Sequence, residues 1–88
     1  MIYFVTYDLK EPGQRYNELI EKIKSYDGWA KLGDSCFLIK TEKEAVAIRD
    51  NLKSVLDSND KIYVGQTLTP AAWYNMPDQV SNWIKSNL

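Results

Sequence analysis

The residue with the clearest chemical potential in this sequence is Asp8, which closes the apolar and aromatic run from Ile2 to Tyr7. Apolar residues on both faces of a strand predict a central position in a sheet that is covered on both sides. The last residue of such a strand can project from the sheet into a cleft. We therefore expect Asp8 either to hold a divalent metal ion or to accept hydrogen bonds from the amides of the turn between Lys10 and Gly13.

The sequence contains no histidine, and this absence narrows the chemistry available to the chain. Ser/His/Asp triads, Cys/His dyads and HExxH metal sites are all excluded within it. Carboxylates, lysines, tyrosines, hydroxyls and the single cysteine, Cys36, remain. Because Cys36 lies within an apolar stretch, we expect a buried, unreactive thiol in a reducing compartment.

Several basic and aromatic residues are candidates for contacts with nucleic acid or a nucleotide. The cations near predicted strand ends or helix starts are Lys10, Arg15, Lys31 and Lys40, and the aromatic residues able to stack on a base are Trp29, Trp73 and Tyr74. The alternative for the cations is ordinary solvated charge. The alternative for the aromatic residues is a place in the core or at a subunit interface.

Composition limits the kind of surface that the chain can present. Its 88 residues suffice for a single domain over 1–88 with a modest core, so a partner subunit would add stability. A formal charge of -1 and a pI near 5.3 argue against a surface that neutralises many phosphates at once. No apolar run approaches the roughly 18 residues that span a bilayer, and no signal peptide is recognised, so we expect a cytoplasmic protein without membrane contact.

Hydrophobic periodicity places these residues on a series of short elements. The pattern predicts strands at 2–8, 29–32, 35–40 and 61–68, and helices at about 12–26, 42–56 and 77–87. Pro12 suits the first turn of the first helix, and Thr41 with Glu44 forms a capping-box pattern before the second. The order predicts an α+β fold of the ferredoxin-like split βαβ type (β-α-β-β-α-β), with 69–88 as a C-terminal extension that carries an extra helix.

In such a fold two helices cover one face of the sheet and leave the second face to be covered by something else. Side chains alternate along the first strand. The second face therefore carries either Ile2, Phe4 and Thr6 or the odd-numbered set Tyr3, Val5 and Tyr7. The terminal helix, a second subunit or both could cover it. We expect a homodimer, because the core is small.

The strand from Ile2 to Leu9, the amphipathic helix after it and the segment Ser35-Cys36-Phe37 carry a resemblance to known proteins. They resemble the small CRISPR-associated "Cas-two" adaptation proteins and the related virulence-associated protein D toxins. The chain is most similar to small bacterial and phage proteins labelled SinR-like. The resemblance covers roughly residues 1 to 68.

The resemblance implies a ferredoxin-like homodimer whose two sheets pack face to face, with a role in bacterial or phage defence. Asp8 from each subunit would approach its counterpart as a catalytic carboxylate and as a ligand of Mg²⁺. Ser35 and Phe37 would lie near the dimer seam, with Tyr7 beside Asp8. The full set of candidate interface residues is Tyr3, Val5, Tyr7, Ser35, Phe37, Trp73 and Tyr74.

Two functional hypotheses follow. The first is a homodimer that binds nucleic acid or a nucleotide and that, if it is an enzyme, is a metal-dependent phosphodiesterase with nuclease activity. The second is a non-catalytic interaction module or inhibitor that binds a protein or a small nucleotide at the dimer seam. The acidic pI favours the second over broad RNA binding.

Overall fold

The computed structural model describes residues 1–10 and 15–88 as an α+β domain with seven elements. In chain order they are β1 (Ile2–Asp8), α1 (Tyr16–Lys24), β2 (Gly28–Gly33), β3 (Cys36–Lys40), α2 (Ala45–Lys53), β4 (Lys61–Gln66) and α3 (Asp78–Asn87). The predicted order of strands and helices is confirmed. Among the described residues, no helix has the length and apolarity needed to cross a membrane.

The four strands form one antiparallel sheet in the order β2-β3-β1-β4. The apolar strand β1 is therefore central, as its composition predicted, and β2 and β4 are the two edges. A turn at Asp34 and Ser35, one residue later than predicted, joins β2 to β3 as a hairpin, which confirms the hairpin prediction. The register shifts between Lys31 and Gly33, so the hairpin is irregular next to its turn.

Helices α1 and α2 cover one face of the sheet and enclose the larger core. Leu19 and Ile23 of α1 and Ile48 and Leu52 of α2 are fully buried there. Their partners on the sheet are the odd-numbered residues of β1 and β3, namely Tyr3, Val5, Tyr7, Phe37 and Ile39. Alternation along β1 thus assigns its odd-numbered side chains to the helices.

Helix α3 packs on part of the opposite face. Ile84 is buried against Ile2 and Leu38, and Trp73 and Trp83 pack around this second cluster. The indole Nε1 of Trp73 donates a hydrogen bond to Ser81 Oγ at 3.0 Å, which attaches the preceding loop to α3. The C-terminal extension is therefore an integral layer of the domain, and Ile2, Phe4 and Thr6 supply the second face.

The second helix begins later than predicted. Thr41 Oγ1 accepts a hydrogen bond from the amide of Lys43 at 3.1 Å, while Glu44 occupies the N-cap position without a side-chain hydrogen bond. The predicted capping box is therefore wrong, because Thr41 closes a local turn instead of capping the helix. The predicted start of α1 at Pro12 lies outside the described residues.

Cys36 is only half-buried, at the start of β3. Burial nevertheless raises the pKa of its thiol, which disfavours the nucleophilic thiolate. The expectation of a fully buried cysteine is corrected, and the expectation of low reactivity remains a prediction.

Candidate functional site

Asp8 is the last residue of β1, and its side chain is exposed. It shares a face with Phe4 and Thr6, on the side of the sheet away from α1 and α2. Helix α3 packs near Ile2 and Leu38, at the other end of this face. Asp8 therefore lies on the part of the sheet that no element covers among the described residues, which we call the open face; it comprises Thr6, Asp8, Cys36, Lys61, Tyr63 and Gly65, and Phe4 borders it where it packs against the α3 cluster.

The hydrogen-bond register determines which residue lies next to Asp8. The amide of Thr67 donates to the Ile2 carbonyl at 2.9 Å, and hydrogen-bonded pairs recur at every second residue of an antiparallel ladder. In this register Asp8 and Lys61 form the last pair between β1 and β4. Their side chains are cross-strand neighbours, so an ammonium group accompanies the carboxylate.

A shallow hollow of about 180 Å³ surrounds this pair. Its lining residues are Thr6, Tyr7, Asp8, Lys61, Ile62 and Tyr63. Typical ligand pockets measure roughly 300–1,000 Å³, so the hollow could take a phosphate or carboxylate group but not enclose a whole nucleotide. Enclosure of a larger ligand would require a second surface over the open face.

Tyr63 projects from β4 beside the hollow, with 63% of its surface exposed. Its ring lies close to Gly65, where an added Cβ would fall 2.8 Å from the ring atom Cε1 of Tyr63. The absence of a side chain at Gly65 thus leaves room for the ring along the sheet. The open face presents an aromatic ring, a carboxylate and an ammonium group together.

A metal ion would find few protein ligands at Asp8. Within residues 1–10 and 15–88, no group of three acidic, cysteine or histidine side chains could hold one. Mg²⁺ is commonly bound by one or two carboxylates together with substrate phosphates and water. Asp8 fits such a site only if a second carboxylate or a phosphate comes from another molecule, and Lys61 would compete with the cation for Asp8.

The amide of the turn after β1 donates its hydrogen bond to a different aspartate, Asp60, and not to Asp8. The Lys10 amide donates to Asp60 Oδ1 at 2.8 Å, and the Asp57 amide donates to Asp60 Oδ2 at the same distance. Asp60 therefore joins the chain after β1 to the turn before β4. No amide of a described residue donates to the Asp8 carboxylate, and residues 11–13 of the predicted cap lie outside the described residues.

Asp60 gives the protein a specific acid sensitivity. Hydrogen bonds from the Asp57 and Lys10 amides lower the pKa of its carboxyl group. A lowered folded-state pKa contributes stability that is present above the ordinary carboxyl pKa of about 4 and is lost as the pH falls through the folded-state value. We expect Asp60→Asn to be less stable than the wild type at pH 7, with a difference that shrinks below about pH 4.

Urea unfolding at a series of pH values would measure this difference. Asp57→Asn is the matched control, because Asp57 contributes its amide to the interaction and its exposed side chain makes no hydrogen bond with a described residue. The control should follow the wild-type pH dependence. A difference for Asp60→Asn that stays constant from pH 7 to acid would contradict the assignment.

The candidate nucleic-acid residues do not converge on one site. Lys10 and Arg15 follow β1 near Asp8, and Arg15 Nη2 pairs with Glu18 Oε2 at 3.2 Å. Trp29 and Lys31 lie on the edge strand β2, and Lys40 is at the end of β3 remote from Asp8. Lys10 and Arg15 are thus the predicted cations nearest in sequence to the open face.

Most of the candidate interface residues belong to the interior of the chain. Tyr3, Val5, Tyr7 and Phe37 are 0–5% exposed beneath α1 and α2, so they fill the domain's own core and cannot meet a partner. Their even-numbered neighbours lie on the opposite face of the sheet because side chains alternate along a strand, and of these Thr6 and Asp8 lie on the open face. This corrects the expected face of β1.

The remaining candidate interface residues differ in their surroundings. Trp73 is half-buried in the cluster beneath α3. Tyr74 is 91% exposed. Ser35 is exposed, and its carbonyl accepts hydrogen bonds from the Tyr7 amide and from Thr6 Oγ1. Only Ser35 and Tyr74 are freely accessible among the seven candidates.

Tyr7 lies beside Asp8 in sequence, but its hydroxyl is not a candidate for acid–base chemistry. Its hydroxyl donates to the Asp34 carbonyl at 3.1 Å, and its ring meets Tyr16 edge-on at a centroid distance of 6.4 Å. Burial, followed by the interaction with Tyr16, raises the pKa of Tyr7 well above the ordinary tyrosine value. Tyr7 therefore remains protonated at neutral pH and cannot act as a base.

Sequence patterns did not single out Lys61, Tyr63 or Asp60. Lys61 and Tyr63 become neighbours of Asp8 only through the pairing of β4 with β1. The sequence did contain a signal for Lys61. It is the first residue of β4, which runs antiparallel to β1, and β1 ends at Asp8. For Asp60 the signal was a turn aspartate directly before a strand, which is a frequent acceptor of backbone hydrogen bonds.

No known family model matches this sequence, and no curated protein is a match either.

Proposed function

We propose that the chain is a small homodimeric protein that associates with nucleic acid or nucleotides through a ferredoxin-like domain similar to those of Cas-two proteins and virulence-associated protein D. The alternation of strands and helices and the order β2-β3-β1-β4 support the ferredoxin-like assignment. The observation that carries the functional part is the exposed carboxylate of Asp8 at the strand end, on the open face.

The open face supports the dimeric arrangement in this proposal. Phe4 is half-buried at the border between the open face and the α3 cluster, and the large ring of Tyr63 is exposed on the open face. Burial of such apolar area against a second copy would stabilise a small domain. A twofold axis through this region would also bring two hollows together and provide the enclosure that one chain lacks.

The same axis gives Asp8 its chemical role. Two carboxylates brought close together repel each other, and Mg²⁺ between them would relieve that repulsion. The two Asp8 carboxylates would hold the ion, and the ion would supply an activated water for phosphodiester hydrolysis. Phosphates of the substrate would draw Lys61 away from Asp8, and Lys10 and Arg15 would contact the flanking phosphates.

The test replaces Asp8 by Asn, which removes one charge per chain and preserves the side-chain shape. We expect Mg²⁺-dependent hydrolysis of a phosphodiester substrate to fall by about 100-fold or more, because the substitution removes several kcal/mol of metal-assisted stabilisation. Native mass measurement should still find the dimer. Asp27→Asn is the control, since Asp27 is exposed before β2 at the opposite end of the sheet.

Retained hydrolysis in Asp8→Asn would contradict the catalytic part of the proposal. A monomeric wild-type protein at micromolar concentration would contradict the dimer.

A second candidate function is a non-catalytic module that binds a protein or a small nucleotide at the dimer seam. The observation in its favour is the cross-strand position of Lys61 opposite Asp8, which puts a cation beside the carboxylate without a metal ion. Salt dependence separates the two candidates. Binding to phosphates weakens steeply as salt rises, whereas an aromatic and apolar interface is nearly insensitive to it.

A further inference from the structure

The edge strand β2 presents unpaired backbone groups to the surroundings. The Tyr7 amide donates to the Ser35 carbonyl and the Thr41 amide to the Met1 carbonyl, so the odd-numbered residues of β3 bond to β1. The even-numbered residues of β3 therefore bond to β2, through the pairs Gly28 with Lys40 and Ala30 with Leu38. By the same alternation, the N–H and C=O groups of Trp29 and Lys31 point away from the sheet.

Trp29 and Lys31 are two positions apart, and their unpaired backbone groups match the hydrogen-bonding pattern of an additional strand. The amides of Trp29 and Lys31 donate no hydrogen bond to the backbone of a described residue. The outward N–H and C=O groups of β2 alternate as donors and acceptors. Another extended backbone offers the matching acceptors and donors.

A groove runs along this edge and has a volume of about 280 Å³. Trp29, Ala30 and Lys31 form its strand side, and Gln79, Val80 and Trp83 of α3 form its other side. The walls are mainly apolar, and they lie beside the unpaired backbone groups. This volume would admit an apolar side chain of a strand that pairs with β2.

Two lysines lie beside this edge. Lys31 is one of the lining residues, and the ammonium group of Lys24 lies 4.6 Å from the centroid of the Trp29 ring. Acidic side chains in a bound segment would pair with Lys24 and Lys31.

We propose that the edge of β2 binds an extended acidic peptide segment of a partner protein as a fifth strand of the sheet. The segment bonds to the backbone of Trp29 and Lys31. It places apolar side chains beside Ala30 and Trp83 on the α3 face of the sheet, and it sets acidic side chains beside Lys24 and Lys31 on the opposite face. This site is separate from the open face and does not depend on the proposed function.

Two other occupants fit the groove less well. A second copy of β2 would bring another Lys31 to an edge that is already positively charged, and lysine on an edge strand discourages such self-pairing. A stacked nucleobase would need the face of the Trp29 ring that Lys24 occupies, and it would leave the unpaired backbone groups unused.

The probe for the test is a short synthetic peptide in which glutamate alternates with valine or leucine. Two N-methylated versions carry the methyl groups on alternate residues in opposite frames. Alternate N–H groups of a strand point to the same side, so one version should bind like the parent peptide and the other should lose binding. Equal binding by both versions would overturn the proposal.

Amide hydrogen exchange gives the location of binding. The parent peptide should slow the exchange of the Trp29 and Lys31 amides by about tenfold or more when the site is mostly occupied. Ile62 and Val64, whose backbone groups point outward on the other edge strand β4, are internal controls that should not change. Slowing confined to β4, or no slowing at saturating peptide, would overturn the proposal.

A charge exchange tests the acidic preference. Lys31→Glu should weaken the parent peptide by about threefold to fivefold, because a cross-strand charge pair contributes up to about 1 kcal/mol, and it should strengthen a version with lysine in place of glutamate. Lys53→Glu, an exposed change in the last turn of α2, should leave both affinities unchanged. Protection of the same amides by a single-stranded oligonucleotide but not by the peptide would instead assign the edge to nucleic acid and overturn the proposal.

Discussion

Phe37→Ala should lower the free energy of unfolding by about 3–5 kcal/mol, the usual cost of removing a large aromatic side chain from a packed core. Phe37 is 1% exposed beneath α1 and α2 and lies 6.1 Å from the Trp29 ring, measured between centroids. Native domains are stabilised by only about 5–15 kcal/mol, so this loss would be a large part of the total. Urea unfolding would measure it as a lower midpoint with an unchanged slope.

The same substitution distinguishes a core residue from a residue of the dimer seam. As a core residue, Phe37 should matter equally at low and high protein concentration, whereas a seam residue would act mainly through dissociation of the dimer. The control is Val46→Ala on α2, where the side chain is 59% exposed and the expected change is within about 0.5 kcal/mol. A loss below about 1 kcal/mol for Phe37→Ala would contradict the core assignment.

Ile84→Asp should release α3 from the sheet while the larger core stays folded. Ile84 is 3% exposed and packs with Ile2 and Leu38. A carboxylate without a partner in this apolar cluster would cost several kcal/mol, so undocking of the helix is the lower-energy response. A free helix as short as α3 is barely stable in water, so we also expect it to lose most of its helicity.

Amide hydrogen exchange should show this release as lost protection across Asp78–Asn87, with protection retained in β1 and β3. Asn82→Asp is the matched control, because it adds the same charge to an exposed position of α3. The exposed apolar surface around Ile2 and Leu38 should also promote association of the variant. Unchanged protection of α3, or cooperative loss of all protection, would show that α3 is not a separately docking unit.

Local patterns predicted the elements well, because each depends on neighbouring residues. Leu19 and Ile23 recur at helical spacing in α1, and the hairpin turn directly after Gly33 follows from residue types suited to a tight turn. The start of α2 was predicted wrongly because Thr41 and Glu44 match a capping-box sequence but do not form the hydrogen bonds of a capping box. Such short signals compete with local turns that satisfy the same groups.

The choice of face on β1 could not be made from the sequence, because that strand is apolar on both sides. Only packing decides that Val5 lies under the helices while Phe4 and Asp8 face the other way. The partners of the candidate site are equally non-local. Asp60 meets the Lys10 amide across 50 positions of the chain, and Lys61 meets Asp8 only through strand pairing.

The packing of α3 has a spectroscopic consequence. Trp73 and Trp83 lie in the cluster beneath α3, and Trp29 shares a groove with Trp83 at the nearby sheet edge. Two of the three indoles of the chain, Trp73 and Trp83, therefore lie in the C-terminal layer, whereas the Trp29 ring packs against Phe37 of the larger core. Tryptophan emission thus reports on the packing of α3 through Trp73 and Trp83, with a separate contribution from Trp29.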